Sequence, residues 1–155
     1  MWKMIKFITD ITKRVLKITR SFIYFRKFNV LVHGKILVGK KKNIKIGKYC
    51  SINQGVIIQG FNEVVIGDFV ILSPNCMLLD ANIDIDHLTA TGGRKHVPGS
   101  IQIGNNCWIG AGAIILPGVT LGPKTIVGAG SVVTKSFDGD VVIAGNPAHI
   151  IKKLS

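Results

Sequence analysis

Aliphatic residues recur along this chain at a strict six-residue step. Ile103, Ile109, Ile115, Leu121, Val127 and Val133 form the longest run. Ile46, Ile52 and Ile58 keep the step, Ile66, Leu72 and Leu78 repeat it, and Val32 and Val38 begin it. Glycine follows directly at Gly47, Gly67, Gly104, Gly110, Gly122 and Gly128. The fourth position on is small at Cys50, Val56, Val70, Cys76, Cys107, Ala113, Val119, Thr125 and Ser131, and only Phe137 departs from this. A repeated aliphatic residue asks for a repeated inward site. A repeated glycine asks for positive φ or for a place with no room for a Cβ. Together they describe a chain coiling around a narrow core, the hexapeptide signature of a parallel β-helix. Three hexads complete one triangular turn, so the spacing predicts a solenoid of four to five turns, each burying its face on the next.

The interruptions carry as much information as the repeat. Two extra residues enter between Val38 and Ile46, and two more between Ile58 and Ile66, as small bulges at corners. The long break between Leu78 and Ile103 predicts a loop over 80–100 that leaves the coil. The chain thus divides into a basic segment over 1–29, a coil over 30–145 and a C-terminal segment over 146–155.

Within residues 1–27, Met4, Ile8, Ile11, Val15, Ile18 and Phe22 recur in steps of four and three, while Lys3, Lys6, Lys13, Lys17 and Arg20 fall on the other side. That period predicts an amphipathic helix. Eight Lys and Arg against Asp10 alone give the segment +7 of the chain's +12. Charges recur too often for a transmembrane span or a secretory signal. Two readings stay open for this helix. It packs on the coil or on a second copy, or it lies on an anionic membrane surface with Trp2, Phe7 and Phe22 dipping in. Lys35, Lys40, Lys41, Lys42, Lys45 and Lys48 extend the basic stripe. No nucleic-acid-binding motif accompanies the charge, so nucleic acid is not an expected partner.

Composition agrees with the repeat. Apolar residues reach 47% but aromatics only 7%, which suits a thin core of Ile, Val and Leu. The three cysteines, Cys50, Cys76 and Cys107, all sit at the small position of a hexad. They read as buried small hydrophobes. Free thiols fit a reducing cytoplasm, the expected location. No metal site is expected.

A dry, filled core leaves chemistry to the outside, and functional residues collect on loops held by rigid scaffolds. The 80–100 loop concentrates acids, glycines and two histidines, His87 and His96. Histidine suits a general base because its pKa lies near neutral pH.

Three segments resemble the hexapeptide acetyltransferases, in the branch of galactoside, maltose and xenobiotic O-acetyltransferases. They are the stretch from Ile103 to Gly122, the stretch from Val127 to Lys135, and Ala144-Gly145-Asn146-Pro147-Ala148. The resemblance implies a left-handed coil, acetyl-CoA as co-substrate and a homotrimer with the coenzyme between subunits. It also implies a loop histidine that deprotonates the acceptor hydroxyl. His87, behind Asp84 and Asp86, matches that histidine, and His96 is the alternative. Asp84 or Asp86 would orient the imidazole, or else only shape the loop, and Asn82 would touch the acceptor. Trp108 matches a tryptophan near the pantetheine end. Gly110, Ala111, Gly128 and Ala129 match positions whose backbone meets the pantetheine amides. Lys135 matches a basic residue near the 3′-phosphate, with Lys152 adding to it, whereas His149 stands where relatives carry Arg or Lys. The implied reaction is acetyl transfer to a hydroxyl of a sugar or polysaccharide precursor. N-acetylation of a nucleotide-linked amino sugar is the alternative.

Overall fold

The computed structural model describes residues 2–25, 27 and 29–154, without the side chains of 2–4. The six-residue step becomes a three-faced left-handed parallel coil. The first face stacks Leu31–His33, Ser51–Asn53, Ile71–Leu72, Trp108–Ile109, Ile126–Val127 and Val141–Gly145, and Ala148–Lys153 closes it antiparallel. The second stacks Leu37–Val38, Ile57–Ile58, Met77–Leu78, Ile114–Ile115 and Val132–Val133. The third stacks Ile44–Ile46, Val64–Ile66, Ile101–Ile103 and Thr120–Leu121, and Phe137 bridges onto Leu121. Six rungs on the first face correct the expected four to five turns. The extra rung comes from Val141–Gly145, which lies beyond the last regular hexad.

Each step of six moves the chain one face around the prism. Ile103, Ile109 and Ile115 therefore point inward from three different faces, and all are buried. Each such side chain contributes about 1.5–3 kcal/mol on leaving water. The small positions close the corners: Cys50, Cys76, Cys107, Ala113, Thr125 and Ser131 are all buried. Burial pushes the Cys76 thiol up to about 12 and raises those of Cys50 and Cys107, so all three stay protonated and inert.

The repeated glycines answer a question of room. Gly110 is not a left-handed residue, but a Cβ there would lie 2.6 Å from both the Ala129 nitrogen and the Val127 oxygen. Left-handed conformation falls elsewhere in the corner, at Asn75, Asn106 and Lys124 for example.

Helix α1 spans Trp2–Phe25. Its last turns dock on the first rung: Ser21 is fully buried and its hydroxyl donates to the Lys27 carbonyl, while Tyr24 and Phe25 pack on the core. Among the described residues no helix is long and apolar enough to cross a membrane.

Candidate active site

Three edges separate the three faces, and most of the candidate residues gather at two of them. On the edge between first and second faces lies a groove of about 330 Å³. Trp108, Gly110, Ala111, Gly128 and Ala129, all singled out in the sequence, line it together with Ser73 and Pro74. Trp108 stands half-exposed on the first face, and its indole Nε1–H donates to Ser73 Oγ at 2.8 Å. That bond fixes the ring as a wall of the groove.

The glycines and alanines divide the work. The Gly110 and Gly128 N–H groups are spent on the next rung, donating to the Val127 and Ile143 carbonyls at 2.9 and 2.8 Å. They supply close approach rather than donors. The N–H groups of Ala111 and Ala129 donate to nothing among the described residues, so the groove carries two open backbone donors.

The 80–100 loop leaves from the next edge, between second and third faces. It is more ordered than a simple loop. Ala81–Ile83 and His96–Pro98 pair antiparallel, and between them stands helix α2, Ile85–Thr91. His87 lies in the first turn of α2 and is half-buried, with its Nε2 facing Gly93. Asp84 is the N-cap: its carboxylate accepts from the His87 backbone N–H at 3.0 Å and pairs with Lys95 at 3.1 Å. Those two contacts, the backbone N–H first, hold its carboxyl below the usual carboxylate range. Within one chain Asp84 therefore positions His87 through the start of the helix rather than through its ring. Asp86 is exposed in the same first turn. Asn82 is exposed on the hairpin, opposite Val97. His96 is stacked on Phe61 with ring centroids 4.7 Å apart, and Lys40 Nζ lies 4.9 Å from the same ring.

The remaining candidates lie apart. Lys135 is on the corner after Val132–Val133, at the loop's edge of the prism, with its Nζ 5.8 Å from the Phe137 ring. Lys152 is exposed on the closing strand, opposite Val142. A cis Asn146–Pro147 bond sits in the turn before that strand. Among the described residues no three His, Cys, Asp or Glu side chains gather as metal ligands would.

The family model for the bacterial transferase hexapeptide (six repeats) matches residues 100–135. A Dictyostelium discoideum protein provisionally named as an acetyltransferase is 41% identical over 145 residues, covering 94% of this chain and 72% of that protein. The chain belongs to the hexapeptide-repeat acetyltransferase family. The galactoside O-acetyltransferase of Escherichia coli K12 is 37% identical over 128 residues, covering 82% of this chain. The chain spans only 62% of that enzyme's length. A Vibrio cholerae hexapeptide-repeat acetyltransferase, solved with acetyl coenzyme A, superposes with a TM-score of 0.77 at 27% identity, covering 88% of this chain and 77% of that one.

One feature of this hexapeptide-repeat chain escaped the sequence reading. The residue just before each inward aliphatic points outward. Register aligns Leu31, Ser51, Ile71, Trp108, Ile126 and Val142 in one outward row of the first face. Leu37, Ile57, Met77, Ile114 and Val132 form the row of the second. The third face shows Lys45, Val65, Gln102 and Thr120 instead. Two faces are thus apolar outside and one is largely polar. Sorting the position before each hexad by face would have exposed this from the sequence.

Proposed function

We propose that this chain transfers acetyl from acetyl-CoA to a hydroxyl of a sugar or polysaccharide precursor, with His87 as general base. The observation that carries the reading is the groove walled by Trp108. It is narrow, it has glycine where backbone must come close, and it offers the Ala111 and Ala129 N–H groups as open donors. An extended thioester arm with amide carbonyls fits those features. Acetyl-CoA as bound partner also agrees with the Vibrio relative of the same fold.

His87 accepts the acceptor's hydroxyl proton as that oxygen attacks the acetyl carbonyl, and the imidazolium then returns a proton to the departing sulfur. A backbone N–H facing the carbonyl oxygen stabilises the charge developing there. Direct attack suits this chain, because its cysteines are buried with raised thiol pKa values. Asp84 sets the start of α2 and so the place of His87. Lys135 serves the 3′-phosphate as a point charge, and Lys152 adds to it.

The working site is shared between copies of a homotrimer. Two arrangements support this. His87 and the groove lie on different edges of one chain's prism, and the groove's edge is flanked by the two faces whose outward rows are apolar. A neighbour's loop brought to that edge would complete the base-plus-groove pair.

The test is acetyl transfer from acetyl-CoA across a panel of sugars and amino sugars, with wild type and His87→Ala. Loss of 10²-fold or more in kcat with coenzyme binding retained is expected, since a general base supplies about 10²–10⁴. Undiminished transfer by the variant rejects His87 as base. Consumption of a free amine rather than a hydroxyl turns the reading to N-acetylation.

A further inference from the structure

We propose that the N-terminal end of the coil docks on an anionic lipid bilayer, with α1 lying along the surface and its apolar stripe turned into the lipid. The proposal stands on the distribution of charge and on the way α1 is mounted, and it is independent of acetyl transfer.

All of the chain's excess charge lies at one end of the molecule. Residues 1–48 hold fourteen of the 20 Lys and Arg with Asp10 as their only acid, a net +13. Residues 49–155 hold the other six against seven acids, a net −1. The rungs stack in chain order, so this asymmetry along the sequence becomes a cationic end facing a nearly neutral body.

Helix α1 is mounted on that end the opposite way from an ordinary packed helix. Its contact side carries Ser21, Tyr24 and Phe25, with Lys13, Lys17 and Arg20 gathered beside His33 on the first rung. Most of the apolar stripe faces away: Ile8, Ile11 and Val15 are 53%, 46% and 55% exposed, and Ile18 is half-buried near the coil. At about 100° per residue, Val15 lies almost opposite Lys17, so both faces cannot meet the coil. A cationic helix whose apolar face points outward, with the protein behind it, is the arrangement of a surface-lying amphipathic helix. Lys6 and Arg14 can reach back along it to the phosphates.

A second feature lies at the same end. A cavity of about 720 Å³ opens between the end of α1 and the third face. Tyr24, Phe25 and Ile44 give it apolar walls, and Lys41, Lys42 and Lys45 give it cationic ones. An apolar surface ringed by lysine complements a phosphate-bearing amphiphile. The net +13 of this end complements an anionic surface and draws it in.

Sedimentation of the full chain with large unilamellar vesicles tests this, using phosphatidylcholine alone and phosphatidylcholine with about a quarter phosphatidylglycerol. At about 0.1 M salt, binding to the anionic vesicles should exceed binding to neutral ones at least tenfold, and should collapse at about 0.5 M as charges are screened. Replacing Lys6 and Arg14 by Ala should weaken it by roughly 25-fold, about fivefold for each cation near the surface. Ile11→Ser with Val15→Ser should weaken it at least tenfold while leaving the circular dichroism of the coil, the oligomeric mass and acetyl transfer to a soluble sugar unchanged. Equal binding to both vesicle types overturns the proposal, and so does undiminished binding by the serine variant. A serine variant that falls to a smaller oligomer in light scattering also overturns it, assigning the stripe to a second copy. Vesicle binding needs no turnover, so failure here and failure of the acetyl-transfer reading are seen separately.

Discussion

Asp80 is the joint on which the 80–100 loop hangs, and removing its carboxylate should cost the fold more than removing any exposed acid. The residue is wholly buried at the point where the chain leaves the second face. One carboxylate oxygen accepts from the Phe61 N–H at 3.0 Å and the other from the Asn62 N–H at 2.6 Å, within the two-residue bulge of the preceding turn. Its own carbonyl accepts from the Gly99 N–H at 2.8 Å, tying the far end of the loop to the near end. Asp80→Ala leaves two N–H groups without an acceptor. Each such loss is worth about 1–3 kcal/mol. Phe61 is partly exposed and water can reach it, so about 3 kcal/mol in total is expected. For a chain of this size that is ~6–12 °C in Tm. Asp80→Asn retains one acceptor but turns its amide toward the second N–H, so it should lose about half as much. Thermal melts followed by circular dichroism, with Asp138→Ala as an exposed control expected within about 0.5 kcal/mol, make the comparison. A shift below about 2 °C for Asp80→Ala would refute the role.

Two further outcomes follow from the geometry. Gly110→Ala places a methyl 2.6 Å from backbone atoms of the next rung, which cannot yield as a side chain would. It should destabilise by about 1–3 kcal/mol, and coenzyme affinity measured by calorimetry should fall with it, because the displaced Ala129 lines the groove. Asp84 is held below the ordinary carboxylate pKa by the His87 N–H and Lys95, so its cap on α2 is complete above about pH 4 and is lost as pH falls through the depressed value. The His87 amide resonance should therefore titrate with a midpoint below the ordinary aspartate value of about 3.9, and Asp84→Asn should abolish the titration. A midpoint at or above that ordinary value counts against the cap.

The legible parts of this protein were those with a period. Ile103, Ile109 and Ile115 declared three faces because an inward site recurring every six residues has few solutions. The cysteines could be set aside because they kept the beat. Trp108, Gly110, Ala111, Gly128 and Ala129 did converge on one groove. The sequence offered two meanings for the repeated glycine, and only the distance from Gly110 to the facing backbone chose between them. The loop was harder. Asp84 looked equally like a partner for the imidazole and like a turn residue, since a capping carboxylate and an orienting one share the same chemistry. The backbone N–H of His87 at 3.0 Å shows which group it meets in this chain. Asp80 read as one acid among several, because burial is invisible in a string of letters.

By itself the sequence determined the scaffold, the place where the scaffold is interrupted and the end that carries the charge. Each is a local regularity, repeated until chance is excluded. Tertiary structure decided what depends on residues far apart in the chain: which edge each feature occupies, which donors are left open by the rungs, and which side of α1 is turned outward. Stacking one rung on the next consumes the glycine N–H groups and spares those of Ala111 and Ala129. It also sets His87 and the groove walled by Trp108 on different edges of the prism. The helical period announced an apolar stripe on α1, but its outward direction follows from Ser21, Tyr24 and Phe25 having claimed the contact with the coil.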